Sequence, residues 1–499
     1  MSGPADAPAV DSFFADAGWG GSTRVCRGTS CHLRGGAALV AAPTDAATVR
    51  AVHCLGYCDR SPAVLLPDGR VAVGAAAARG EPGRDDGALP DVRCRVAEPV
   101  VLARLRDGDH SELARAEAAG VWQTLRAALG DTPEAVASEV ERAGERGRGG
   151  SGYSTGAKWR ACAAQPGSDK WAVANGDEGD PGSFVDRVLM QHDPHAVLEG
   201  LALCGYAIGA SRGLVYVRGE YPVAAASLER AIAQAREAGW LGPSVASSGF
   251  AFDVDVVHGR GSYVCGEETA LLNAVEGQRG EVRLRPPYPV ERGLHGAPTV
   301  VNNVETLVNV PAILARGARA YRRLGTEGSP GTKALCLNAG FARPGIVEAP
   351  FGESLGHVIE DGGGTVDGAA LEAVLLGGPM GSIVFDEAWD VPIDYEAMGA
   401  RGIQLGHGGM VALPADTDWR ALLLHWLDFA RRESCGRCVP CRLGSQRAHA
   451  LVRDGGDPRE RLASVFDAME RGSLCAFGRL APGPVRALIA RHGSRIFAS

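Results

Sequence analysis

Three cysteines, Cys435, Cys438 and Cys441, fall in the run ESCGRCVPCRLG, and a fourth, Cys475, follows after 33 intervening residues in GSLCAFG. Any fold for this chain must either gather these thiols or leave them inert. A C-x2-C-x2-C triplet on one tight loop can hold three corners of a cubane 4Fe–4S cluster, and a distant fourth thiolate closes the cage. Four thiolates also make a closed tetrahedral zinc site. Zinc is the competing reading, although zinc ribbons usually carry two separated C-x2-C pairs rather than a triplet plus one. A third reading leaves the four as unliganded core cysteines. If a cluster is held there, the chain moves single electrons.

Length and composition set the outer limits. The 499 residues suffice for three or four domains of about 100–200 residues each. A net charge of −8 carries no nucleic-acid footprint. No apolar run approaches the roughly 20 residues of a membrane helix. The start MSGPADAPAVDSFF has no positive charge before an apolar stretch, so it does not read as a signal peptide. The 13 cysteines cluster at metal-ligand spacings rather than as a disulfide framework, which predicts a reducing, cytoplasmic location.

A second cysteine set lies early, in CRGTSC (Cys26, Cys31) and CLGYC (Cys54, Cys58), with 22 residues between the pairs. Four thiolates so spaced suit a 2Fe–2S cluster, two per iron. A degenerate segment with a lost or altered cluster is the alternative. Residues 80–93, GEPGRDDGALPDVR, are rich in Gly, Pro and charge and read as a linker.

From Asp131 onward helical and strand patterns alternate. Thr132 before Pro133 predicts an N-cap with proline in the first turn. WAVANG (171–176), GLVYVRG (213–219) and AFDVDVVHG (251–259) read as strands, and helices are expected from Asp193-Pro194 and over 222–239. Such alternation implies a parallel sheet with helices on its faces, and ligands bind such sheets at the carboxyl ends of the strands.

Three loops fall near those ends. RGRGGSGYSTGAKWR (146–160) has five glycines and then Lys158. Glycines let backbone N–H groups approach an anion and the lysine adds a point charge, but the P-loop spacing is absent and many such loops are only turns. NGDEGDPGSFVDR (175–187) gathers acids after a strand. They can accept bonds from a ribose or an amide, or simply face solvent. GRGSYVCGEETALLNAVEG (259–277) sets Gly266, Glu267 and Glu268 at a helix start, where the dipole favours carboxylates with or without a ligand. Further on, Asn302 and Asn303 offer the donors and acceptors that an isoalloxazine edge requires; as single residues they also suit turns and caps.

In order over residues 146–442, the runs RGRGGSGYSTGAKW, NGDEGDPGSFVDR, YVCGEETALLN, RPPYP, PTVVNNVET and ESCGRCVPCR closely resemble the NADH-binding flavoprotein subunit of complex I and its relatives. Those relatives include the diaphorase subunits of soluble NAD-reducing hydrogenases and of NAD-dependent molybdenum or tungsten formate dehydrogenases. CLGYCDRSPAV resembles the thioredoxin-like ferredoxin family, although the gap between cysteine pairs is short here and the preceding helix nearly absent. The resemblance implies a multidomain α/β protein. A thioredoxin-like 2Fe–2S segment with its linker would span 1–93, and a Rossmann-like FMN- and NAD(H)-binding domain 94–328. A ubiquitin-like β-grasp domain would span 329–415, and a helical bundle holding 4Fe–4S 416–499.

The resemblance also assigns residues. Arg148, Gly149, Gly150, Gly152 and Lys158 are expected to wrap FMN and the nucleotide phosphates. Asn175, Asp177 and Glu178 are expected around the flavin and dinucleotide, and Asn302, Asn303 and Thr306 against the FMN. Tyr263, Gly266, Glu267 and Glu268 are expected to line flavin and nicotinamide, Glu267 and Glu268 acting in catalysis as positioning and electrostatic groups. Cys265 is expected beside the flavin without binding iron. Tyr153 stands where the family often has Phe, Ala161 where it has a second aromatic, and Asp180 where Glu is common. Arg285 and Tyr288 stand where Lys and Phe are common. More guanidinium and less carboxylate near a ribose admits a 2′-phosphate, so NAD(H) is expected with NADP(H) as the alternative.

The N-terminal fusion and the NGDEGDPGSFVDR run look closest to the β-subunit of an NAD-dependent formate dehydrogenase. Its expected partners are a molybdopterin catalytic subunit and a small thioredoxin-like 2Fe–2S subunit, with no direct membrane insertion. A hydrogenase diaphorase and a complex I subunit are the alternatives. From another class, a non-catalytic relay would keep both clusters and bind no nucleotide; Ala161 is its support.

Overall fold

The computed structural model describes residues 22–36, 39, 49–78 and 87–497. Its strands are β1 (Thr23–Cys26), β2 (Val49–Val52), β3 (Ala63–Leu65), β4 (Val71–Val73), β5 (Val92–Cys94), β6 (Trp171–Gly176), β7 (Arg212–Val217), β8 (Asp253–His258), β9 (Thr299–Asn303), β10 (Thr332–Leu337), β11 (Gly345–Pro350), β12 (Leu371–Leu376), β13 (Ser382–Phe385) and β14 (Gly409–Pro414).

Strands β6 to β9 form one sheet in the order β8-β7-β6-β9, parallel throughout. Their side chains divide by the two-residue period of a strand. Ala172, Ala174, Val215, Val217 and Val254 pack on one face, with the helices Pro133–Ala143, Pro194–Ile208 and Val304–Arg316. Val173, Leu214, Tyr216 and Val301 pack on the other, with Leu271 and Leu272 of the helix Glu268–Val275. The expected caps form: Thr132 accepts from the Ala135 N–H at 3.2 Å and Pro133 opens the helix. The helix after Asp193 buries every residue but Tyr206, which accounts for its near-continuous apolar sequence.

The sheet has a fourth strand that the sequence pattern did not mark. TVVNN carries no strand expectation, yet β9 lies parallel to β6 with Thr299 opposite Trp171. Its two asparagines end the strand, and Asn303 caps the next helix. This puts the loops after β6, β7, β8 and β9 at one end of one sheet.

The second sheet is mixed, in the order β13-β12-β14-β10-β11-β5. Val374, Leu376, Met410 and Ala412 face a core that includes the helix Leu355–Asp361, while Leu375, Val411 and Leu413 face the C-terminal helices. Those helices run Trp419–Glu433, Val439–Arg453, Arg459–Gly472, Ala476–Leu480 and Pro482–Ile496. Strand β5 pairs parallel with β11, so the end of the expected linker is sheet; the linker residues 80–86 lie outside the described residues.

The N-terminal sheet has the order β2-β1-β3-β4, with β1 and β2 parallel and the other pairs antiparallel. Half of the shortened gap between the cysteine pairs lies outside the described residues. This unit is bound to the rest at several points. Arg187 Nε donates to the Gly56 carbonyl at 2.9 Å, the Ala339 N–H to the Cys58 carbonyl at 2.8 Å, and Trp426 Nε1 to Thr29 Oγ1 at 3.3 Å. The His32 and His425 rings stack at 4.1 Å.

Gly200 fixes the main helix crossing: a methyl group there would collide with the Leu307 carbonyl of the helix Val304–Arg316. Overpacking of this kind costs about 1–3 kcal/mol. Gly200→Ala is expected to lower the denaturant midpoint of the purified chain accordingly; an unchanged midpoint would contradict the close crossing.

Candidate functional site

The loops at the carboxyl ends of the parallel sheet meet two turns of the mixed sheet, LGGPMGS and LGHGG. A side-chain carbon on Gly150 would fall 3.2 Å from the Gly406 backbone, one on Gly378 3.1 Å from Asp180 Cβ, and one on Gly409 2.6 Å from the Gly182 backbone. Gly150, Gly377, Gly378, Gly406 and Gly408 also have positive φ, a conformation that favours glycine. The cradle is thus walled by backbone that approaches too closely for side chains. The sequence shows no catalytic constellation in residues 331–410; the pairs of glycines in the two turns are the local signal of this wall.

On the first loop, Gly152 and Gly147 close a turn through a Gly152 N–H to Gly147 carbonyl bond of 3.2 Å. The N–H groups of Gly149, Gly150 and Ser151 have no acceptor among the described residues. Consecutive free N–H groups in a glycine turn suit an anion. Lys158 Nζ lies 3.1 Å from Glu268 and donates to the Val301 carbonyl.

The Arg148 guanidinium is fully buried, bonded to Glu145 at 2.6 and 2.9 Å and to Tyr321 and the Pro330 carbonyl, with Nη1 left as a buried donor without a partner. An unpaired buried cation is prohibitive, so the guanidinium stays with Glu145. The Arg148 N–H donates to Thr306 Oγ1 at 2.9 Å.

The acidic turn divides in two. The Glu178 carboxylate caps the helix Val185–His192, accepting from the Asp186 and Arg187 N–H groups at 3.1 and 2.9 Å. Asp177 remains available. Its Oδ1 lies 3.5 Å from Arg218 Nε, and its buried Oδ2 has no partner. Burial pushes the Asp177 carboxyl well above the usual range. Burial likewise raises Asp180, which accepts a short bond from the Tyr263 hydroxyl. Asn175 braces the turn, donating to the Gly266 carbonyl at 2.9 Å. Arg218, beyond the end of β7, was missed by sequence reading; it also donates to the Glu178 and Cys54 carbonyls.

Glu267 caps the helix Glu268–Val275, accepting from the Thr269 and Ala270 N–H groups at 3.0 Å each. Glu268 is held between Lys158 at 3.1 Å and Arg285 at 3.3 Å. Asn302 Oδ1 accepts from Trp159 Nε1 at 2.8 Å, which leaves its Nδ2 without an acceptor among the described residues. Asn303 Oδ1 caps Thr306 at 3.2 Å and its Nδ2 donates to Asp186 at 2.5 Å. Tyr153 and Tyr288 are more than half exposed, as aromatic faces open to a planar ligand would be. Ala161 is exposed. Cys265 is fully buried among Val173, Leu214 and Tyr216.

The C-terminal thiols gather at helix ends. Cys438 precedes the helix Val439–Arg453, Cys441 lies in its first turn, and Cys475 precedes Ala476–Leu480. Cys435, Cys441 and Cys475 are buried with Val264, Phe429 and Phe477, and Tyr263 packs on this group. No disulfide joins them. Burial pushes the Cys441 thiol up to about 12 and raises Cys475, which disfavours the thiolate at these two positions. A bound metal reverses this by stabilising thiolates, and the donor set of four sulfurs in an apolar shell fits an iron–sulfur cluster.

The N-terminal set is also assembled. Cys26, Cys31, Cys54 and Cys58 are buried, and Cys54 Sγ lies 3.6 Å from Cys58 Sγ. That is too far for a disulfide of about 2.05 Å and suits two thiolates on one metal. Backbone N–H groups point at these sulfurs: Gly28 and Leu55 at Cys26, Gly56 at Cys54, each at 3.4 Å, and Gly182 at Cys58 at 3.3 Å. The last donor belongs to the acidic turn, so this site touches the cradle directly.

Arg148→Met, which strands Glu145 in the interior, is expected to destabilise the fold by about 3–5 kcal/mol, read from the denaturant midpoint. A shift below about 1 kcal/mol would mean that the pair is not buried as described.

Residues 140–312 match the family model of the Nuo51 FMN-binding domain, and residues 421–498 that of the NADH-ubiquinone oxidoreductase-F iron-sulfur binding region. The chain is 43% identical over 371 residues to the HndC subunit of the NADP-reducing hydrogenase of Solidesulfovibrio fructosivorans, covering 73% of this chain and 76% of that one. It is 40% identical over 401 residues to the second F-type subunit of the NADH-quinone oxidoreductase of Rhizobium meliloti, covering 79% and 95%. A crystal structure of an NAD+-reducing NiFe-hydrogenase in the H2-reduced state superposes with a TM-score of 0.84 at 31% identity, covering 98% of this chain and 86% of the matched chain. No helix among the described residues is long and apolar enough to cross a membrane. The chain belongs to the family of F-type subunits of NADH-quinone oxidoreductase, as a diaphorase-type subunit with an FMN-binding domain, a 4Fe–4S region and NADH binding.

Proposed function

We propose that this chain is the diaphorase subunit of a soluble multisubunit NAD-dependent formate dehydrogenase, with FMN in the glycine-walled cradle. The observation that carries the diaphorase reading is the convergence of free donors and one unpartnered carboxylate oxygen, Asp177 Oδ2, on one cleft beside four gathered thiols. Bound FMN supplies a ring that exchanges hydride with a nicotinamide and single electrons with an iron–sulfur cluster. The residues do the rest. Gly149, Gly150 and Ser151 offer N–H groups to an anion, Asn302 Nδ2 offers a donor, and Asp177 offers an acceptor. Tyr263 and Phe429 fill the space between the cradle and Cys435–Cys475, excluding water from that path.

The formate assignment rests on the N-terminal fusion and the form of the acidic turn. A second reading, a hydrogenase diaphorase, is favoured by the 98% coverage of this chain, N-terminal unit included, in the superposition on the hydrogenase. The two readings use the same site and differ only in the partner. Reduction of the purified complex by formate, with molybdenum or tungsten present, supports the first; reduction by hydrogen, with nickel present, overturns it in favour of the second. The 2Fe–2S cluster on Cys26, Cys31, Cys54 and Cys58 is part of the same proposal.

NAD(H) is the proposed dinucleotide. Arg285 is close to Glu267 at 3.6 Å and Glu268 at 3.3 Å, so its charge is already met and the carboxylates oppose a 2′-phosphate. Glu268→Gln is expected to narrow the NADH-over-NADPH ratio of kcat/KM by about tenfold, the scale of one charge-assisted contact. An unchanged ratio would remove Glu268 from dinucleotide selection. Cys475→Ser is expected to abolish the reduced 4Fe–4S EPR signal while NADH still bleaches the flavin band; a retained signal of the same form would exclude Cys475 as a ligand.

A further inference from the structure

His407 belongs to none of the sequence motifs, yet it stands where the loops of the two sheets meet. It follows Gly406, the residue facing Gly150, and its ring is buried. Nε2 lies 2.9 Å from Asp186 Oδ2 and 4.0 Å from Glu178 Oε1. Asp186 Oδ2 also accepts from Asn303 Nδ2 at 2.5 Å, and its Oδ1 accepts from the Glu305 N–H at 3.1 Å. The Asn303 and His407 nitrogens are 3.2 Å apart; both carry hydrogens that converge on Asp186, so the ring is anchored through Nε2–H.

Burial opposes charge on this ring, and Lys333 opposes it as well. The carboxylates of Asp186 and Glu178 outweigh both and carry it to about 9. At neutral pH it is an imidazolium with both nitrogens as donors. One is spent on Asp186. The other, Nδ1, has no partner among the described residues.

Glu178, Asp186 and His407 bring ligand atoms within 4.8 Å of one another, which invites a cation. Their oxygens are already committed to N–H donors from Asp186, Arg187, Asn303 and Glu305, and a cation would have to displace them. The uncommitted groups here are donors: the imidazolium Nδ1–H and the backbone N–H groups of Gly149, Gly150 and Ser151. Donors without acceptors call for an anion.

We propose that His407 binds the phosphate of FMN, its Nδ1–H completing a site formed with the free N–H groups of the glycine loop. The inference rests on the reading that FMN occupies this cradle. It makes Asp186 a positioning residue that holds both His407 and Asn303, and it assigns the mixed sheet a direct part in cofactor binding.

The test uses the full chain, stripped of flavin and titrated with FMN or riboflavin by flavin fluorescence, comparing wild type with His407→Gln and His407→Ser. His407→Gln is expected to weaken FMN binding about tenfold or more, the scale of a lost hydrogen bond to a charged group. Riboflavin binding is expected to change less than about twofold, because it lacks the phosphate. Unchanged FMN affinity, or an equal loss for both flavins, would overturn the assignment and leave His407 as packing alone. His407→Ser, smaller and uncharged, gives the same comparison if glutamine does not fit. Wild-type chain that binds neither flavin would overturn the FMN reading itself, whereas a wild-type preference for FMN that survives in both variants overturns only the role of His407.

Discussion

Backbone-to-backbone contact between two sheets is the constraint on which the site depends. Gly182 meets Gly409 and Gly377 meets Gly406 at separations that leave no room for a Cβ, and Gly150 meets Gly406 in a tight contact. A parallel sheet opens its ligand end between diverging loops. Here the mixed sheet closes that opening from the side with two glycine turns. The close approach brings main-chain N–H groups, rather than flexible side chains, to the wall of the cleft. Donors fixed in this way need little reorganisation when an anion arrives.

The buried charges follow from the same closure. Glu178 and Asp186 are shut away from water, the Asp177 side chain is nearly so, and Asp180 is half-buried beside them. Arg218 and His407 are the cations set against them, at 3.5 Å from Asp177 and 2.9 Å from Asp186. Burying acids without such partners would be prohibitive. The pairing is incomplete at Asp177, whose Oδ2 has no partner. Among the buried polar atoms without a partner, this one lies in the cleft, where a ligand can supply the missing donor. The N-terminal unit depends on the same region, because Arg218 also holds the Cys54 carbonyl and Gly182 donates to Cys58.

Much of this was legible in the sequence, and the misses have physical causes. Near-continuous apolar runs mark β6 and β7, which are buried on both faces, and alternation marks β8 at the sheet edge; prolines mark the starts of the helices between them. β9 was hidden because its short TVVNN run ends in two polar residues. The cysteine spacing located both sulfur sites, since a ligand set is a local pattern. The sequence motifs place Arg148 and Glu178 beside the cleft, but do not show that their side chains also serve a buried ion pair and a helix N-terminus, partners that only the fold brings near. His407 and Arg218 were invisible for the converse reason: each lies far in sequence from the acids it faces, and nothing local distinguishes it. The triplet-plus-one spacing left zinc open as the occupant of Cys435–Cys475, and the match to the iron–sulfur region favours the cluster.

The most direct measurement is an anaerobic NADH titration of the purified chain, followed by visible absorbance and low-temperature EPR. Bleaching of the flavin band together with a reduced iron–sulfur signal is the predicted result, with the signal types counting the clusters. Iron–sulfur signals that appear only with a stronger chemical reductant, in a chain shown to retain its FMN and with no flavin response to NADH, would contradict the account.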